Sequence, residues 1–77
     1  MESPSDILWG IRKSLDANGI SPVDVYVNLL GADVVFYRGR QQAQTTAGVA
    51  CECAAAATDA DDLLNRLRAA GARMTLI

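Results

Sequence analysis

Two thiols stand one residue apart in Cys51-Glu52-Cys53, in a 77-residue chain that contains no histidine. Histidine is the usual proton acceptor near neutral pH and the commonest metal ligand. Its absence leaves proton transfer and metal binding to carboxylates and these thiols. In a strand, Cys51 and Cys53 would point to the same face, which is poor geometry for bridging to each other. A Cys-x-Cys pair also leaves a tetrahedral zinc set incomplete. The pair is therefore read as two small, reduced core residues. Ser5, Ser14 and Ser21 have no evident base, and Gly31 and Gly39 stand alone rather than in a phosphate-binding loop. No enzymatic activity, metal or cofactor is expected from this inventory.

The charged residues are easier to place. Asp59, Asp61 and Asp62 form the densest cluster, and acidic side chains belong at a helix start, where the dipole favours them. Arg38 and Arg40 flank Gly39, and their guanidiniums could grip carboxylates or phosphates of a partner. Seven basic against nine acidic residues give a net charge of -2. That balance argues against direct nucleic-acid binding, which needs clustered Lys and Arg, and is compatible with a basic protein partner.

The elements that must position these groups follow from the hydrophobic pattern. Ser3-Pro4-Ser5-Asp6 is a helix opening, with Ser3 as cap, Pro4 at the first position and Asp6 at the third. Ile7, Leu8, Ile11 and Leu15 continue at helical spacing, and Asn18-Gly19 ends the helix with Ile20 folding back. Residues 23–29 alternate: Val23, Val25, Val27 and Leu29 one way, Asp24, Tyr26 and Asn28 the other. A turn at Gly31-Ala32-Asp33 leads to a second strand, Val34-Val35-Phe36-Tyr37.

Residues 38–46 are polar and amide-rich and are expected to form the longer loop of a second hairpin. Residues 47–57 pull two ways. Alanine favours helix, yet Gly48, Val49 and the alternation through Cys51, Glu52 and Cys53 suggest a third strand, which is the reading adopted. Thr58 then caps a helix carrying Leu63, Leu64, Leu67 and Ala70, with Asp62 and Arg66 able to pair across one turn. Gly71 ends it, and residues 72–77 form a short last strand.

The expected fold is a single α+β domain over residues 1–77, in the order α-β-β-β-α(-β). It is an antiparallel sheet of three or four strands with both helices on one face. Val23, Val25, Val27, Val34 and Phe36 should meet Ile11, Leu15, Leu63 and Leu67 in the core. The first six residues carry no basic side chain and open no apolar run of signal-peptide length, and no stretch reaches the roughly 20 apolar residues of a membrane span. A cytoplasmic protein without membrane contact is the default expectation.

The helix, three strands and helix over residues 3–70 are similar in order to the double-stranded RNA-binding domain. That family reads RNA shape with basic residues at the start of its last helix, where this chain has Thr58-Asp59-Ala60-Asp61-Asp62. In size, acidity and layout the chain also resembles small phage-encoded inhibitors of the anti-CRISPR kind. The features concerned are the polar strand-to-strand segment 38–46 and the strand running into Thr58-Asp59-Ala60-Asp61-Asp62-Leu63. The resemblance implies a protein that acts without catalysis by covering surfaces of CRISPR effector complexes.

The functional expectation is a non-catalytic protein-binding module, a small inhibitor or regulator of a larger protein or protein/nucleic-acid complex. Its contact surface would be the outer sheet face with Tyr26, Asn28, Tyr37 and Glu52, joined by Arg38 and Arg40. The alternatives are an assembly subunit that homodimerises through the same face or the last strand, and an RNA-binding-like module despite the acidic charge.

Overall fold

The structure is a computed structural model that describes residues 3–77. Its order is α1 (Pro4–Ala17), β1 (Tyr26–Leu30), β2 (Asp33–Arg38), β3 (Gln41–Thr46), α2 (Ala47–Ala56), α3 (Ala60–Ala69) and β4 (Arg73–Leu76). The strands form one antiparallel sheet in the order β1-β2-β3-β4. The α+β class and the helix-covered sheet are as the sequence implied, with one helix more than expected.

α1 begins as its sequence dictates. The Ser3 hydroxyl accepts from the Asp6 N–H, and the Asp6 carboxylate accepts from the Ser3 N–H, each at 3.3 Å. The helix ends where Gly19 takes φ 74°, which lets the Ile20 N–H return to the Leu15 carbonyl at 2.8 Å. Ile20 is thereby buried with Ile11 and Leu15.

Residues 22–24 depart from the strand expected over 23–29. They form a turn in which the Ser21 hydroxyl accepts from the Val23 N–H at 3.1 Å and the Ser21 carbonyl from the Asp24 N–H at 2.9 Å. Ser, Pro and Asp supply local hydrogen bonds and a fixed φ that compete with a ladder. Val23 is consequently 94% exposed rather than in the core, while Val25 and Val27 are buried.

The expected loop over 38–46 is a tight turn followed by a strand. Arg38 pairs with Gln41, Gly39 has φ 59°, and Arg40 keeps a negative φ. This is the Gly-X pattern of a two-residue type II′ hairpin turn, whose twist matches that of the strands it joins. Gln41–Thr46 then pairs with β2 on one side and β4 on the other, so backbone ladders outweigh the polar composition of this segment.

The expected third strand over 47–57 is α2 instead. Ala50, Cys53 and Ala54 are its buried residues, joined by the buried cap residue Ala57, at the i, i+3, i+4, i+7 spacing of a helix face. Small side chains on that face let α2 lie close to α1. Asn18 ties the two together: its Nδ2 donates to the carbonyls of Ser14 at 2.9 Å, Ala54 at 3.0 Å and Ala55 at 3.3 Å. These bonds satisfy helix-end carbonyls where neither helix has a basic residue in its last turn.

The cap of α3 lies one residue beyond the expected Thr58. Asp59 accepts from the Asp62 N–H at 2.7 Å, and Asp62 accepts from the Thr58 N–H at 3.0 Å and from Arg66 Nε at 2.8 Å. Leu63, Leu64 and Leu67 of α3 join Ile11 and Leu15 of α1, the buried face of α2, and Val27, Val34, Phe36 and Ala43 of the sheet in one core cluster. All three helices thus cover the same face of the sheet.

Candidate functional site

The face of the sheet turned away from the helices is ordered in rows by strand register. Tyr26, Tyr37, Gln42 and Thr75 form one row; Asn28, Val35, Gln44 and Arg73 the next; Leu30, Asp33 and Thr46 the third. Alternation along each strand places these residues on one side.

Tyr26 and Tyr37 are direct cross-strand partners with ring centroids 6.0 Å apart and planes tilted by 45°, within the range of favourable aromatic pairing. Tyr26 remains 58% exposed. Across the face, Gln44 Nε2 donates to the Asp33 carboxylate at 3.0 Å. Val35 lies between the tyrosine row and this hydrogen bond and is fully buried, although it is not part of the core cluster beneath the helices. The outer face therefore holds a small apolar centre under a rim of tyrosines, amides and one carboxylate. A rigid aromatic pair beside adaptable amides is the side-chain chemistry that protein-binding surfaces favour.

Of the residues picked out from the sequence, the structure brings Tyr26, Asn28 and Tyr37 together here. Glu52 is a correction: it sits exposed on α2 in the helix layer, because the segment carrying it is not a strand. Arg38 is also corrected. It shares the strand parity of Phe36, on the helix side of the sheet, and is ion-paired with Asp61 at the start of α3. Arg40 is exposed in the β2–β3 turn beside the tyrosine row, and its carbonyl accepts from the Ile77 N–H at 2.8 Å. Arg38 thus ends β2 and Arg40 lies in a two-residue turn, not on the longer loop expected.

Gln42, Gln44, Thr46, Arg73 and Thr75 belong to the face and were missed. The Gly39-Arg40 pair between Tyr37-Arg38 and the Thr45-Thr46 dipeptide was the available signal, since Gly-X between strand-formers marks a two-residue hairpin.

The carboxylates are largely occupied by structure: Asp6 and Asp59 in caps, Asp61 and Asp62 with arginines, Asp33 with Gln44, Asp24 with the Ser21 N–H. The hydrogen bond from Arg66, with a further one from the Thr58 N–H, holds the Asp62 carboxyl below its usual range. Burial pushes the Cys53 thiol up, opposed by the nearby Arg66 charge. Among the described residues no three His, Cys, Asp or Glu side chains cluster as metal ligands, and no helix is long and apolar enough to cross a membrane.

Comparison with known proteins adds no relative. No family model, no curated protein and no solved structure matches this chain.

Proposed function

We propose that this chain is a non-catalytic protein-binding module that docks through the outer face of its sheet. The observation that carries the proposal is the tyrosine pair, Tyr26 exposed and Tyr37 half-buried, beside a buried Val35 on a face that no helix covers. Such a surface offers preorganised aromatic area at little conformational cost. A protein partner is favoured over a nucleic acid because Arg73 is the only basic side chain among the described residues in the three rows, whereas phosphate binding needs several. The carboxylates engaged in caps and ion pairs, in a chain without histidine, support a role without catalysis.

The narrower reading, an inhibitor that covers a surface of a larger complex, draws on the resemblance to phage-encoded inhibitors. The polar loop and the pre-helical strand cited for that resemblance take other forms here, so size, acidity and the sheet-and-helix layout remain as its support.

Affinity capture from source-cell lysate by the wild type, by Tyr26→Ala/Tyr37→Ala and by Trp9→Ala provides the test. Trp9 is exposed on α1, in the opposite layer. The expected result is a partner retained by Trp9→Ala and lost by the double tyrosine variant, with both variants folded by circular dichroism. Retention by the folded tyrosine variant, or loss with Trp9→Ala alone, would overturn the proposal.

A further inference from the structure

The two edges of the sheet are finished differently. Residues that close a two-residue hairpin exchange hydrogen bonds, and alternate residues then turn their backbone groups away. Along β1, Tyr26, Asn28 and Leu30 accordingly bond to β2, and Val27 and Leu29 face outward. The outward Leu29 N–H is already taken by Asn28 Oδ1 at 2.9 Å, which blunts that edge.

β4 is not blunted in this way. The Ile77 N–H bonds to the Arg40 carbonyl, so by the same alternation Arg73, Thr75 and Ile77 face β3 while Met74 and Leu76 turn their N–H and C=O groups out. Among the described residues no side chain occupies these groups as Asn28 occupies Leu29. Leu76 is 78% exposed, next to a shallow depression lined by Gln41, Arg68 and Met74. Open backbone groups beside exposed apolar side chains make an edge that pairs with another strand.

We propose that the occupant of this edge is a second copy of the chain, joined β4 to β4 antiparallel about a two-fold axis through Thr75. This pairing is isologous, as closed dimers require, and the strand is its own complement in that register. Met74 lies opposite Leu76 of the second copy in hydrogen-bonded pairs, so the exposed leucine gains an apolar neighbour. Thr75 meets its own copy, a favourable cross-strand pair. Arg73 lies opposite Ile77, which separates the two Arg73 residues by about 13 Å along the strands, beyond the roughly 8 Å screening length at physiological salt. Sliding the register so that Met74 sits on the axis would bring the arginines closer and remove Leu76 from Met74. The dimer would be a continuous sheet of twice four strands, with both tyrosine faces on the same side.

The pairing predicts a specific crosslink. Thr75 and its copy form a non-hydrogen-bonded pair with Cα atoms about 4.5 Å apart, within disulfide reach. In a Cys51→Ser background, Thr75→Cys with oxidised glutathione is expected to give covalent dimer, and Leu30→Cys, on the far edge, is not. Sedimentation of the wild type should rise with concentration from 8.2 kDa toward twice that mass. Leu76→Lys should keep it at the monomer mass with unchanged circular dichroism. A wild type that stays monomeric up to about 1 mM, equal crosslinking of both cysteine variants, or a dimer indifferent to Leu76→Lys would overturn the proposal.

Discussion

The two faces of β2 are built from adjacent residues yet serve different ends. Val34 and Phe36 point into the core beneath the helices, where three helices and four strands share one apolar cluster. Val35 and Tyr37 point the other way, onto a face where only neighbouring side chains give cover. Val35 is as fully buried as Phe36, but it lies on the face that carries the tyrosine pair and the glutamine–aspartate hydrogen bond instead of a helix layer. A residue can thus be inaccessible to water without belonging to the fold's main core. On the same face Tyr26 remains 58% exposed.

Substitutions on the two faces should therefore separate in size. Phe36→Ala opens a cavity in the core cluster that the three helices share with the sheet and is expected to cost about 3–5 kcal/mol, a large share of what so small a domain has. Chemical denaturation should show it unfolded or barely folded. Val35→Ala removes two buried methyl groups from a face with no helix layer over it, so a loss of about 1.5 kcal/mol is expected. If the two losses proved equal, the distinction between the faces would fail.

The smallest effect belongs to the helix layer at its exposed end. The Asp62 carboxyl is held below its usual range by Arg66 and Thr58, so the folded state favours the ionised form. The stabilisation is present above the unfolded carboxyl's range, near pH 4, and is lost as pH falls through the lower folded value. Asp62→Asn should reduce stability slightly at neutral pH and flatten the decline below about pH 4 in acid titrations followed by circular dichroism. An unchanged acid slope would mean that the pair with Arg66 is fully screened by solvent.

Much of the fold was legible because local signals and packing agree. Ser3-Pro4-Ser5-Asp6 and Asn18-Gly19-Ile20 delimit α1 by caps that need only neighbouring residues. The first hairpin follows from alternation around Gly31, which has φ 61°. Tyr26, Asn28 and Tyr37 fell on one face for the same reason, since side-chain direction in a strand has a period of two. Misreadings arose where composition gave no contrast. In α2 nearly every side chain is small and apolar, so helical and strand periods look alike. The error carried Glu52 to the wrong layer.

The sequence by itself determined the caps of α1, the first hairpin, the alternation that separates tyrosines from core residues, and a net charge of -2. Only the tertiary structure decided that 41–46 is a strand, that 47–56 is a helix, and that Arg38 is paired with Asp61 rather than free for a partner. The physical reason is that these outcomes depend on contacts distant in sequence. β3 has its form because β2 and β4 pair with both its sides. α2 fits because its alanine face lies against α1 and is tied there by Asn18.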